Sequence, residues 1–165
     1  MEFDENAIGF LKEMLGYSDD EMEEFVADTR NKLVLTKMAE LANKTIVAEF
    51  VESHGCYIGH RKGDKLFFDG GGNLITGKAP RRVCPFAITA LTPLLFAVQE
   101  LAYAGADAGE LRFNRAGCPD VGLNCGGWGH VVMELTVEDR TYLRAWDSPG
   151  FCGPTGPGSL ASATA

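Results

Sequence analysis

The stretch of sequence that decides the fold is residues 45–68, TIVAEFVESHGCYIGHRKGDKLFF. Within residues 45–51, the side chains of residues 46, 48 and 50 (Ile, Ala, Phe) share one face and those of residues 47, 49 and 51 (Val, Glu, Val) the other, as in a half-buried strand. A second short strand-like run follows at residues 66–68. The loop between them, residues 55–64, contains three glycines together with a thiol, an imidazole and a carboxylate. The pattern therefore predicts two strands joined by a glycine-bent loop that carries reactive side chains.

The segment C-terminal to this stretch predicts one helix and two further strands. Residues 69–73, DGGGN, indicate a plain hairpin turn, because a phosphate-binding loop would need a lysine and a following helix start. Residues 84–104 are apolar nearly all round a helix, which predicts a central buried helix. Pro93 within it predicts a kink. Residues 111–115 and 130–137 are the further predicted strands.

The segment N-terminal to the stretch predicts two helices. The first is expected to begin after Asp4 and to end at Gly16. Ser18 and Glu21 form a capping box for a long second helix over residues 19–43.

Together these patterns predict an α+β fold with a small, mainly antiparallel sheet packed on the kinked helix. Three segments are expected: a two-helix N-terminal extension over residues 1–44, a Cys/His-containing core domain over 45–147, and a flexible tail over 148–165, rich in Gly, Pro, Ser and Ala. A chain of 165 residues is long enough for one domain with a proper core.

The charge and the apolar runs narrow the expected partners and location. A formal net charge of −8 with scattered basic residues disfavours nucleic acid as a partner. The first residues lack a secretory pattern, so we expect a cytoplasmic protein. The most apolar run, residues 83–98, is shorter than a bilayer requires and contains two prolines, so no membrane association is expected.

The cysteines and histidines are the candidates for chemistry. Five cysteines, an odd number in a reducing compartment, argue against a disulfide framework and favour thiols that bind metal, react or simply pack. Thiolates with an imidazole suit zinc or iron, and a cysteine followed by proline recurs at iron–sulfur ligands. The predicted metal ligands are Cys56, His60, Cys84 and Cys118, and the predicted acid/base or supporting groups are Asp120 and His130.

Three motifs in order carry a family resemblance: G-C-x-x-G-H-x-x-G-D at residues 55–64, C-P-x-A at 84–87 and C-P-D at 118–120. This set resembles a family of small, mostly uncharacterised bacterial and archaeal proteins that are common in anaerobes. The match covers residues 45–138, and the resemblance implies an α+β core but no particular activity. Cys125, within G-G-W-G-H, is an addition to the family pattern.

Three functions therefore stay open from the sequence. The leading hypothesis is a small Cys/His metal-site protein of anaerobic metabolism, an enzyme or an accessory subunit, holding iron, zinc or an iron–sulfur cluster. The second is a metal-free enzyme with a cysteine nucleophile, for which Cys84 at a helix N-terminus is suited because the helix dipole stabilises a thiolate. The third is a structural subunit that binds a partner protein. In each case we expect a homo-oligomer or a subunit of a larger complex.

Overall fold

The computed structural model describes residues 5–140, which form four α-helices, two short 3-10 helices and four strands. Asp4, Cys152 and the predicted tail lie outside the described residues, as does the end of the predicted core domain. The α+β class and the antiparallel sheet are confirmed.

The N-terminal part contains three helices, α1 (Glu5–Leu15), α2 (Asp19–Ala27) and α3 (Thr29–Ala42). The capping box of Ser18 and Glu21 is present as predicted. The prediction of one unbroken helix over residues 19–43 was wrong, because Asp28 divides it. Its backbone is extended, and its carboxylate accepts a hydrogen bond from the backbone N–H of Arg30 at 2.8 Å. The short side chain of an aspartate can itself accept a hydrogen bond from a nearby backbone N–H, so it competes with the helical hydrogen bonds and favours a helix cap.

Four antiparallel strands form the sheet in the order β2-β1-β4-β3. Their bounds are β1 (Lys44–His54), β2 (Lys65–Asp69), β3 (Arg115–Gly117) and β4 (His130–Asp139). The strand predicted at residues 111–115 was misplaced, since β3 starts only at Arg115. Residues 111–114 are irregular, and the first contact of this segment with β4 is at Asn114, whose side-chain amide donates to the carbonyl of Leu135.

The last helix, α4 (Pro85–Tyr103), packs on one face of the sheet. Its buried residues join inward-facing sheet residues in one apolar cluster that includes Ile46, Ala48, Phe50, Leu66, Leu91, Val98 and Met133. The prediction that the helix is buried all round was wrong, because only one of its faces meets the sheet. Phe86 and Phe96, on the opposite side, are 63% and 62% exposed.

Two further features of α4 bear on the predictions. Pro93 lies inside the helix, and the kink stays a prediction. The helix is long and apolar enough to cross a bilayer by length and composition, a test that core helices of soluble proteins also pass. The expectation that this apolar run is too short to cross a bilayer was wrong, because the helix has 19 residues.

The sheet brings two distant loops to one end of the molecule. His54, the last residue of β1, is paired with His130, the first residue of β4. The loop over residues 55–64 therefore leaves the sheet beside the loop over residues 118–129. The N-terminus of α4, at Cys84, borders the same place.

Candidate functional site

A cavity of about 730 Å³ opens between these two loops and the N-terminus of α4. All six residues singled out from the sequence line it: Cys56, His60, Cys84, Cys118, Asp120 and His130. Cys125 is exposed and does not line the cavity. His54 does not line it either, but the centroid of its ring lies 6.3 Å from that of His130, which does. The structure thus gathers the six side chains in one place, while their chemical roles stay predictions.

The two loops are held together by a close approach of their backbones. Gly55 has a φ of +64°, and a Cβ at this position would lie 2.6 Å from the carbonyl oxygen of Trp128. Gly129 faces it, and a Cβ there would overlap the carbonyl oxygen of His54. Glycine is required at both positions because any side chain would force the loops apart. The cavity therefore depends on two glycines that flank Cys56 and His130 in the sequence.

His60 is the most deeply buried polar side chain of the cavity. Only 3% of its side chain is exposed, and its ring stacks on Phe50 with the centroids 4.4 Å apart. Nδ1 lies 3.8 Å from a carboxylate oxygen of Asp64, whereas Nε2 is buried without a hydrogen-bond partner. Burial lowers the pKa of His60, and the nearby Asp64 carboxylate opposes this only in part. The ring is therefore neutral at pH 7, with a nitrogen that lacks a partner.

Asp64 stabilises the turn at the end of this loop. Its carboxylate accepts a hydrogen bond from the backbone N–H of Arg61 at 2.8 Å, which closes the end of the loop. The side chain of Ser53 also donates to the carbonyl of His60 at 2.6 Å. These contacts fix the backbone on both sides of the buried imidazole, so its orientation is set by the loop.

The three cavity cysteines differ in their surroundings. Cys84 is the N-cap residue of the 19-residue helix α4, and its side chain makes no capping hydrogen bond. The sulfur of Cys118 accepts a hydrogen bond from the backbone N–H of Val131 at 3.3 Å. All three cysteines, Cys56 included, also contact the main apolar cluster, so a packing role is consistent with the structure as well.

Asp120 holds the second loop in shape. Its carboxylate accepts backbone N–H groups of Gly122 and Trp128, each at 3.0 Å. The hydrogen bond from Gly122 is the main reason why its pKa lies below the ordinary value, and His130 adds a smaller electrostatic contribution. An ionised carboxylate bound to backbone N–H groups is suited to positioning the loop. The geometry thus favours the supporting role over the acid/base role among those predicted.

His130 has a partner that the sequence analysis missed. Its Nε2 lies 2.9 Å from a carboxylate oxygen of Glu52 on β1, and this contact lowers the pKa of Glu52. Glu52 follows a register shift between Phe50 and Glu52, where β1 departs from regular pairing with β4. Because such a bulge changes which face each residue occupies, alternation alone could not place this carboxylate beside His130. Only the strand register reveals the pair.

Exposed apolar side chains form the mouth of the cavity. Tyr57 and Trp128 meet edge to face with their ring centroids 5.0 Å apart, although they are 77% and 68% exposed. Phe86 and Val121 are exposed on the same rim. We call these four residues, three of which are aromatic, the aromatic rim. Trp128 contacts the ring of Tyr57 and is otherwise largely exposed to solvent.

A single metal ion needs several donor side chains that lie close together. Within residues 5–140, no three His, Cys, Asp or Glu side chains lie together as such a site requires. The ligands of one zinc ion all lie about 2.0–2.3 Å from it, so they must come into near contact. The donor types around the cavity suit a metal, but their arrangement does not form a compact four-ligand site.

Comparisons with models of protein families, with curated protein sequences and with solved structures found no match to this chain.

Proposed function

We propose that the cavity holds a metal cofactor and that Cys56, Cys84, Cys118 and His60 are its ligands. The observation that carries the proposal is the buried Nε2 of His60, which has no partner although it belongs to a side chain lining a cavity with three cysteines. A buried polar atom without a hydrogen bond costs free energy, so an occupant of the cavity that binds this nitrogen would be stabilising.

The protonation state of His60 supports this assignment. A metal-binding histidine must be neutral, and burial keeps His60 neutral at pH 7. Asp64 beside Nδ1 favours the tautomer that leaves the Nε2 lone pair free, as carboxylates do next to ligating histidines.

We propose an iron–sulfur cluster rather than a single zinc ion, because Cys84 and Cys118 are each followed by proline, as cysteines at iron–sulfur ligands often are. Ligands of a cluster bind different iron atoms and so lie farther apart than ligands of one ion, which agrees with the absence of a compact set in the described residues. Such a cluster, when bound, would supply electron transfer or an open coordination position. The chain's own contribution would be the largely apolar walls of the cavity and the hydrogen bond to the Cys118 sulfur, both of which tune reduction potentials.

The proposal is tested by metal analysis of the full chain purified without oxygen. Wild type is compared with Cys56→Ser, Cys84→Ser and Cys118→Ser, and Cys125→Ser is the matched control because Cys125 lies outside the cavity lining. We expect near-stoichiometric iron with visible absorption in wild type and in Cys125→Ser, and loss of both in the cavity variants. Circular dichroism melts establish that each variant is folded. A metal-free wild type, or iron that survives all three cavity substitutions, refutes the proposal.

A second candidate function is a metal-free enzyme in which Cys84 is the nucleophile. The observation that favours it is the position of Cys84, an uncapped N-cap residue of a long helix that opens into the same cavity as neutral His60. The test is alkylation of metal-free protein by iodoacetamide near pH 7, mapped by mass spectrometry. Faster alkylation at half-buried Cys84 than at exposed Cys125 supports an activated thiolate. Slower alkylation at Cys84, in the order of exposure, contradicts it.

A further inference from the structure

We infer that the outer part of the cavity binds a small, neutral, aromatic organic molecule. The proposed function assigns the thiols and His60 to a metal cofactor but leaves the aromatic rim without a role. The inference names the class of ligand that would occupy the remaining space, and it rests on the proposed function only in that both share one cavity.

The size of the cavity supports a ligand larger than a metal ion. Small-molecule sites in proteins enclose roughly 300–1,000 Å³, and this cavity, at about 730 Å³, lies within that range. A single ion, or a small iron–sulfur cluster, fills only part of such a volume. The remainder lies between the thiols and the rim, where a ring-sized molecule would displace water from apolar walls.

The walls of this outer part favour an aromatic molecule. Tyr57 and Trp128 meet edge to face, so neither ring covers the face of the other completely, and Phe86 lies on the same rim. All three rings are more than 60% exposed, which is unusual for side chains gathered around one concave site. Ring faces and edges of this kind favour stacking or edge-to-face contact with a further aromatic ring.

The charges around the cavity favour a neutral molecule. Among the described residues that line it, none is a lysine or an arginine, so the lining offers no basic side chain to pair with an anion. Asp120, the carboxylate of the lining, already accepts backbone N–H groups of Gly122 and Trp128 and is a poor partner for a cation.

The inference is tested with three soluble probes of similar size: benzyl alcohol, cyclohexylmethanol and benzoate. Their dissociation constants for the full chain are measured by ligand-observed NMR or calorimetry. Benzyl alcohol and cyclohexylmethanol share a hydroxyl group and differ in aromaticity, whereas benzoate adds a negative charge. We expect benzyl alcohol to bind about two- to tenfold more tightly than cyclohexylmethanol, because ring contacts between aromatic groups add to simple burial. Benzoate should bind more weakly than either.

Two variants locate the binding. Trp128→Ala removes a rim ring but keeps the backbone N–H that donates to Asp120, so we expect the loop to fold and the affinity for benzyl alcohol to fall about two- to tenfold. Phe113→Ala is the matched control, because Phe113 is 76% exposed and lies outside the cavity lining. It should leave the affinity unchanged.

The outcomes separate this inference from the metal proposal, since iron is measured on the same samples. Saturable binding of benzyl alcohol that Trp128→Ala weakens supports the inference, whether or not iron is present. It is overturned by equal affinity for the two alcohols, by tighter binding of benzoate, or by an equal effect of Trp128→Ala and Phe113→Ala. The absence of saturable binding to iron-loaded protein also overturns it and leaves the metal proposal intact.

Discussion

Substitution of Gly55 by alanine is expected to separate the two loops that form the cavity. Two costs add at this position. The φ of +64° is unfavourable for an L-residue by roughly 1–2 kcal/mol. The new Cβ would also lie 2.6 Å from the carbonyl oxygen of Trp128 and 3.1 Å from the Cα of Gly129, and overpacking of this kind costs about 1–3 kcal/mol. Gly55→Ala should therefore lower the free energy of unfolding by roughly 2–5 kcal/mol.

Gly59→Ala is the matched control in the same loop. Gly59 also has a positive φ, +88°, but a Cβ there meets nothing within 4 Å. Both variants carry the backbone strain and the same reduction in unfolded-state entropy, so these contributions largely cancel. The difference in unfolding free energy, about 1–3 kcal/mol, then reports the contact between the loops alone.

The assay is reversible denaturation in urea, followed by far-UV circular dichroism, with wild type, Gly55→Ala and Gly59→Ala compared at one pH. For a chain of this size, 1 kcal/mol corresponds to a shift in Tm of roughly 2–4 °C, so a thermal melt gives an independent reading. If Gly55→Ala is no less stable than Gly59→Ala, the loops do not approach as described and the argument for a cavity fixed by glycines is refuted.

Three further predictions concern the core and the two ionisable groups that fix the loops. Leu91→Ala, on the buried face of α4, should lower the unfolding free energy by about 2–5 kcal/mol in urea titrations, whereas exposed Thr92→Ala should change it little. The pKa of His60 is lowered in the folded state, so the unfolded state binds more protons near and below its ordinary value of 6.5. Stability should therefore fall as the pH drops from 7.5 to 5.5, and His60→Phe should make this fall shallower; an unchanged pH profile would contradict it. The pKa of Asp120 is also lowered, so its stabilising contribution is present above the ordinary value of 3.8 and is lost as the pH falls through the folded value. Asp120→Asn should destabilise the protein at pH 7 and flatten the acid limb of its stability profile, as measured by urea titration at several pH values.

Much of the fold was predictable because the local signals were strong. The strands β1 and β4 follow from alternation, and α4 follows from a proline in its first turn ahead of a continuous apolar run. The errors have local causes that only the folded chain reveals. Asp28 could continue a helix or cap one, and its contact with Arg30 decides between the two. The burial of α4 depends on how many layers of secondary structure pack against the helix. The spacing of apolar residues in its sequence does not reveal that number.

The candidate site was predictable as a list of residues but not as an arrangement. Glycine and proline beside cysteine and histidine marked the loops, and the topology places those residues around one cavity. The pairing of His130 with Glu52 depends on a register shift in β1, and the orphaned nitrogen of His60 depends on burial. Neither is encoded in spacing, because both arise from contacts between segments far apart in the chain.

During folding, the cavity can form only after β1 and β4 have paired, since His54 at the end of β1 lies opposite His130 at the start of β4. Its walls come from segments spread between Cys56 and Val131, so no fragment of local structure contains them. Contacts between such distant segments form late and slowly in folding, because long loops must close first. During synthesis the cysteines at 56 and 84 therefore emerge well before β4 can enclose them. A ligand that binds only the closed cavity would add its binding free energy to the folded state alone, so assembly of the site and completion of the sheet become one cooperative step.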